Sequence, residues 1–176
     1  METFVKRIQD FTVKSMRVTL DDVTKNSGTL TQRVVINYPN AVAIIPFITP
    51  DKFIIVNQYR YALQRETVEF PAGKIDKGES PEEAVHRELL EETGYIAESL
   101  QKVYSYTPAM GYSTEVLHMY FVTDLREKDK SVVDTDEISN ITIMTKEELW
   151  HGVMSGTIQD PKIGIGLLWC EKLGLI

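Results

Sequence analysis

GKIDKGESPEEAVHRELLEETGY, running from Gly73 to Tyr95, carries six glutamates: Glu79, Glu82, Glu83, Glu88, Glu91 and Glu92. Ser80 is a good N-cap, Pro81 suits the first helical position and Glu83 completes a capping box. Gly94 is placed to end the helix in the left-handed conformation. The stretch therefore predicts a helix from Pro81 to Thr93. On that helix Glu88, Glu91 and Glu92 fall within roughly a 100° arc, while Val85, Leu89 and Leu90 take a different arc and face a core. Like charges this close cost about a few tenths of a kcal/mol per pair. No lysine shares their arc. A solvated acidic face is the ordinary explanation of a glutamate-rich helix. It explains neither the bare clustering nor the glycine-bearing loop PAGKIDKG (71–78) that would bend over it.

Hard divalent cations answer both points. Mg²⁺ or Mn²⁺ binds through carboxylates together with substrate phosphates. Such a site suits phosphoryl chemistry, in which positive charge is set against phosphate oxygens.

Outward from the helix the chain reads as mixed sheet with helices packed on it. SMRVTL (15–20) and RVVINY (33–38) alternate apolar and polar residues, with DDVTKNSG (21–28) as a turn-rich connector. They predict a small antiparallel unit with one apolar face. AVAIIPFI (41–48) and FIIVNQYR (53–60) are apolar on both faces, as strands covered on two sides are, and a hairpin turn is expected at Thr49-Pro50-Asp51-Lys52. TVEF (67–70), KVYSYT (102–107), VLHMYFVTDL (116–125) and ISNITIM (138–144) give further strands, with a charged loop over 126–137. Thr145 and Glu148 form a second capping box for a helix stopping near Gly156, and Asp160-Pro161 opens the last helix.

The bulk properties restrict function. The chain has 176 residues, enough for one domain with an appendage. Its net charge of −7 argues against a general nucleic-acid or anionic-membrane binder. A small anionic substrate stays compatible, because bound metal inverts the local sign. The single cysteine, Cys170, and the absence of an apolar leader in METFVKRIQDF point to the cytoplasm.

The spacing Gly73, five residues, Glu79, seven residues, Arg87-Glu88-Leu89, one residue, Glu91-Glu92, one residue, Gly94-Tyr95 resembles the Nudix box at every fixed position. The resemblance implies an α/β/α sandwich with a mixed sheet that hydrolyses a nucleoside diphosphate linked to another moiety. It implies Glu88, Glu91 and Glu92 as metal ligands with the Ala72 carbonyl, for Mg²⁺ or alternatively Mn²⁺. Glu91 and Arg87 then belong to the catalytic set, Arg87 with Glu79 by orienting loop and helix.

Three flanking stretches resemble the ADP-ribose pyrophosphatase branch: QYRYALQRETVEFPAGKID (58–76), YTPAMGYSTEVLHMYF (106–121) and DTDEISNITIM (134–144). This likeness implies Arg60 against the diphosphate, since guanidinium suits phosphate oxygens. It makes Glu137 the base that takes a proton from water, with Asp134, Asp136 and Glu115 as competitors. Pro108, Gly111 and Glu115 would lie at the substrate. It further implies an N-terminal β unit, residues 1–38, that dimerises and completes the site of a hydrolase domain, 39–176. The expected reaction converts ADP-ribose to AMP and ribose 5-phosphate. Another nucleoside diphosphate sugar, a dinucleotide or a non-catalytic nucleotide-sensing module are the alternatives.

One feature departs from the branch: no tryptophan lies in the N-terminal region to stack the base, leaving Phe4, Phe11 or Tyr38. His118 reads as a packed strand histidine, and His86 and His151 lack metal-site spacing. Cys170 reads as a core or interface thiol.

Overall fold

The computed structural model describes residues 1–49 and 51–176, with the side chains of Thr49 and Lys130 also left undescribed. The chain divides into two compact units, Met1–Ala41 with Tyr106–Leu117, and Val42–Ser105 with His118–Ile176.

In the first unit, β1 (Thr3–Val13), β2 (Met16–Thr24) and β3 (Leu30–Asn37) form an antiparallel sheet in the order β1-β2-β3. β1 is a strand that the alternation pattern did not reveal. It is exposed along its whole length, and two register shifts, after Phe4 and after Arg7, break its period. Charge pairing holds it instead. The Arg7 guanidinium donates to Asp21 at 2.8 Å, and Arg17 donates to Asp10 at 2.9 and 2.5 Å. Asp21 and Asp22, expected in a connector, are buried residues of the central strand for the same reason. The turn is confined to the residues after Thr24, where Gly28 adopts a φ of +81° that a side chain would disfavour.

The register puts Phe11, Val18 and Ile36 side by side, as it does Leu20 with Val34 and Val13 with Met16. These residues share one face, and Phe11, Val13 and Val34 remain 52, 51 and 48% exposed. The 106–117 segment joins this unit. The Ile36 N–H donates to the Tyr112 carbonyl at 2.6 Å, and the Thr114 N–H donates back to Ile36 at 3.0 Å.

The second unit is built on a sheet ordered β10-β5-β4-β9-β8, with β6 beside β5 and β7 beside β4. Its strands are β4 (Ala41–Thr49), β5 (Lys52–Arg60), β6 (Arg65–Glu69), β7 (Ala72–Lys74), β8 (Tyr95–Tyr106), β9 (Leu117–Glu127) and β10 (Ile138–Thr145). The helices are α1 (Pro81–Thr93), α2 (Lys146–Ser155) and α3 (Pro161–Lys172). β4 and β5 pair as a hairpin, Thr49 opposite Lys52, while the expected turn includes Pro50, outside the described residues. β8 starts at Tyr95, well before Lys102, because its edge position leaves many of its side chains exposed and weakens the apolar signal.

Strand alternation splits the core into two layers. Ile44 and Tyr120 pack with Val85 and Leu89 of α1, whereas their neighbours Ile45 and Met119 lie against α3. At that second contact Gly166 lets the helix approach: a Cβ there would come within 2.9 Å of Ile45 Cδ1. This is the α/β/α sandwich expected from the sequence.

Candidate active site

α1 begins with both bonds of its capping box, Ser80 Oγ accepting from the Glu83 N–H and the Glu83 carboxylate accepting from the Ser80 N–H. It ends at Gly94, φ +75°. Both termini are thereby fixed, so the carboxylates of the middle turns project at set positions.

Arg87 supplies much of their counter-charge. Its guanidinium donates to Glu88 at 2.7 Å and to Glu91 at 3.1 Å. The same group makes two bonds to Glu79, at 2.8 and 2.9 Å, and one to the Lys74 carbonyl at 2.8 Å. One side chain thus ties the loop to the helix and spreads positive charge across the acidic face. The cation sits within the acidic run itself, between Glu83 and Glu88.

Glu88 packs directly on Gly73. A Cβ at that position would fall 1.9 Å from Glu88 Cδ, so the carboxylate occupies space that only glycine leaves. Burial pushes Glu88 above its usual range despite Arg87. Glu92 is the most enclosed of the three, at 6% exposure. It accepts from the Ala72 N–H at 3.0 Å. Burial, reinforced by the charge of Glu88, raises its carboxyl to about 8.

Glu88, Glu91 and Glu92 line a cleft of about 330 Å³ together with Val132, Asp134, Glu137 and Ile138. The far wall is held by backbone bonds. The Asp134 N–H caps the Glu91 carbonyl at 2.9 Å, and the Glu137 and Ile138 N–H groups donate to the Asp134 carbonyl. Glu137 is thereby brought to the three helix carboxylates, 45 or more residues apart in sequence. Asp134 shares the cleft, and Asp136 does not line it. A larger cleft of about 730 Å³ lies beside α2, but its Glu148 is spent on capping Thr145.

The donor set fits a divalent cation. It is all oxygen, it is dominated by carboxylates, and burial raises one member, Glu92, to about 8. Among the described residues, no three acidic, histidine or cysteine side chains already converge as a metal-binding group. Arg87 draws Glu88 and Glu91, and the Ala72 N–H holds Glu92.

The other expected residues are placed as follows. Arg60 makes a bidentate pair with Glu69, 2.7 Å for each bond. Pro108 and Gly111 are exposed in the first unit, and Glu115 is half-buried there. Gly111 has no left-handed φ, and a Cβ would meet nothing within 4 Å, so its own backbone does not demand glycine. Phe4 and Phe11 are exposed in the same unit. His118 Nδ1 is hydrogen-bonded to Ser105 Oγ at 2.8 Å, and Cys170 is buried with its thiol pushed up to about 12.

Sequence reasoning passed over a second cluster. Lys162 donates to Glu69 at 2.7 Å and to Asp160 at 3.0 Å, and all three side chains are buried. Only the Asp-Pro helix start pointed toward it.

Residues 37–162 match the family described as NUDIX domain. This chain belongs to the Nudix family. The Nudix chain is 32% identical over 171 residues to a Bacillus subtilis (strain 168) ADP-ribose pyrophosphatase, covering 97% of this chain and 92% of the relative. It is equally similar, at 32% over 97% of its length and 92% of the relative's, to a Bacillus methanolicus protein named methanol dehydrogenase activator. A Yersinia enterocolitica GDP-mannose pyrophosphatase is 28% identical over 88% of this chain and 86% of its own. Among solved structures, an ADP compounds hydrolase superposes with a TM-score of 0.84 at 20% identity, covering 99% of this chain and 97% of its own. That likeness supports the Nudix fold. Nudix ADP-ribose pyrophosphatases are in general metal-dependent hydrolases.

Proposed function

We propose that this chain hydrolyses the diphosphate of ADP-ribose, adding water across one P–O bond to yield AMP and ribose 5-phosphate. The observation that carries the reading is the cleft in which Glu88, Glu91 and Glu92 share a wall with Glu137. The near full-length similarity to an ADP-ribose pyrophosphatase supports the substrate.

Glu88, Glu91, Glu92 and the Ala72 carbonyl would hold Mg²⁺, with Mn²⁺ as an alternative. Bound there, the cation supplies positive charge against the diphosphate oxygens. Glu137 takes the proton of the attacking water. It is exposed at the cleft, so it can accept from solvent-borne water. Arg87 and Glu79 orient the loop and helix. Arg60 turns from Glu69 to the diphosphate, and Pro108, Gly111 and Glu115 contact the terminal ribose side of the substrate.

The exposed apolar face of the N-terminal sheet supports a homodimer in which residues 1–38 of one chain complete the other's pocket. Among the described residues no helix is long and apolar enough to cross a membrane. The single cysteine, Cys170, supports a reducing compartment, the cytoplasm.

The test is product analysis with Mg²⁺ on ADP-ribose, GDP-mannose and a dinucleotide. ADP-ribose is expected to turn over fastest, giving AMP and ribose 5-phosphate. Faster cleavage of either competitor reassigns the substrate, and no EDTA-sensitive cleavage of any of them makes the chain a binding module. Light scattering on the active protein should give twice the 20.1 kDa chain mass. A monomer mass with full activity removes the shared pocket.

A further inference from the structure

The box carboxylates are held from one side by α1. The loop that faces them, Glu69-Phe70-Pro71-Ala72, must be held from another side, because the Ala72 N–H is the bond that fixes Glu92. Most of this loop cannot be fixed by its own sequence. β6 ends at Glu69 and β7 does not begin until Ala72. One anchor is the Pro71 carbonyl, which accepts from the Ile44 N–H at 2.8 Å.

The remaining anchors come from the start of α3. Asp160 is its N-cap and accepts from the Lys162 N–H at 3.0 Å through Oδ1. Its other oxygen reaches out of the helix and accepts from the Phe70 N–H at 3.1 Å. Lys162 Nζ bonds the same Asp160 and also Glu69, at 2.7 Å. The Glu69 carboxylate takes a further bond from Thr67 Oγ1 at 2.6 Å and two from Arg60. Two consecutive residues of the loop are therefore clamped on α3, two residues ahead of the amide that holds Glu92. The ammonium is the centre of the clamp. Among the described residues it is the cation that touches both the strand carboxylate and the helix cap. A purely stabilising interaction could sit anywhere in the core. This one lies behind the loop that closes over the carboxylates, about 90 residues away in sequence.

We propose that Lys162 is a positioning residue for hydrolysis: by joining Glu69 to Asp160 it fixes the loop whose Ala72 N–H orients Glu92. The inference rests on the catalytic reading above, and its first readout is independent of activity. Lys162→Met alone leaves two buried carboxylates and one half-exposed arginine, and unfolding would be uninformative. The deciding variant is therefore Lys162→Met with Asp160→Asn. It restores charge balance and keeps an oxygen able to accept from Phe70, but it has no link from α3 to Glu69.

In metal-free protein, amide hydrogen exchange by NMR is expected to speed up at least tenfold at Ala72 and Phe70 in this double variant. Exchange at Leu89 and Val122 in the α1-side core should be unchanged. With Mg²⁺, kcat should fall about tenfold with the KM for ADP-ribose within twofold. Wild-type exchange at Ala72 overturns the proposal whatever the activity. Faster exchange spread equally through the core, or an unfolded double variant, also overturns it, because Lys162 would then act on the fold as a whole. A fast-exchanging loop with unchanged kcat overturns the positioning role, while loss of ADP-ribose cleavage in the wild type would strike only the substrate reading.

Discussion

Two groups of buried carboxylates flank the same loop, and the protein treats them oppositely. At Glu69 burial raises the carboxyl, but bonds from Arg60, Lys162 and Thr67 outweigh it and hold the group well below the usual range. At Glu92 burial is also the leading cause and the charge of Glu88 adds to it, while the neutral Ala72 N–H and the charges of Lys162 and Arg60 offset it only in part, so it rises to about 8. Glu69 sits in a cluster of two acids and two cations, with Asp160, Lys162 and Arg60. Glu92 belongs to a trio of box acids in which the Arg87 guanidinium bonds the other two, Glu88 and Glu91. Breaking a balanced buried pair costs about 3–5 kcal/mol, which marks the first group as structural. The second group holds an excess of negative charge that a cation would offset, the pattern expected of a binding site.

The largest expected effect breaks the comparison at its unbalanced end. Glu92→Gln keeps the hydrogen bond from Ala72 but removes the ligand charge. We expect kcat to fall by orders of magnitude with the fold intact, and EDTA to abolish turnover of the wild type. In metal-free protein, the substitution should not lower stability at neutral pH, since burial already disfavours the charged form of the native carboxyl. Undiminished turnover in Glu92→Gln would remove the metal-ligand assignment.

A smaller effect is expected across the cleft. Positioned bases contribute about 10²–10⁴-fold. Glu137→Gln should slow turnover by that order while the Mg²⁺ concentration for half-activity hardly moves. Asp134 lines the same cleft, so Asp134→Asn is the control. If it carries the large loss instead, the base belongs to Asp134.

How much of this was legible beforehand follows from which interactions are local. The Pro81–Thr93 helix, its capping box and its terminal glycine are set by residues within one or two turns, and they read directly from the chain. The arc shared by Glu88, Glu91 and Glu92 follows from helix period alone. β1 could not be read, because cross-strand ion pairs rather than alternation hold it. The Lys162 clamp was equally hidden: Glu69 and Lys162 meet only after β6 and α3 have been brought together, and neither carries a motif. Arg87 was visible but was assigned only an orienting role, though it also bonds two of the clustered acids. The joining of 106–117 to the N-terminal unit depends on backbone bonds to Ile36, which leave no trace in side-chain pattern.

The subtlest prediction sets the two groups against each other as pH changes, in the absence of metal. An acid whose folded pKa is raised holds its proton in the native state after the unfolded chain has lost it. For Glu92 that window runs from the ordinary 4.5 up to about 8. Within it the native state binds more protons, so stability falls as pH rises, by up to about 1.4 kcal/mol per pH unit. Glu69 has the opposite sign. Its folded value is lowered, so its contribution is complete above 4.5 and is lost as pH falls through the acid range. Urea unfolding of the wild type, Glu92→Gln and Glu69→Gln in EDTA, from pH 4 to 9, separates the two. The wild-type minus Glu92→Gln difference should decline between pH 5 and 8 and then level off. Over the same interval the wild-type minus Glu69→Gln difference should stay flat, bending downward only toward pH 4. Added Mg²⁺ should shrink the decline of the first difference, because ligation favours the ionised carboxylate. If the two differences ran parallel, Glu92 and Glu69 would sit in equivalent charge environments, and the distinction between a structural and a binding cluster would fail.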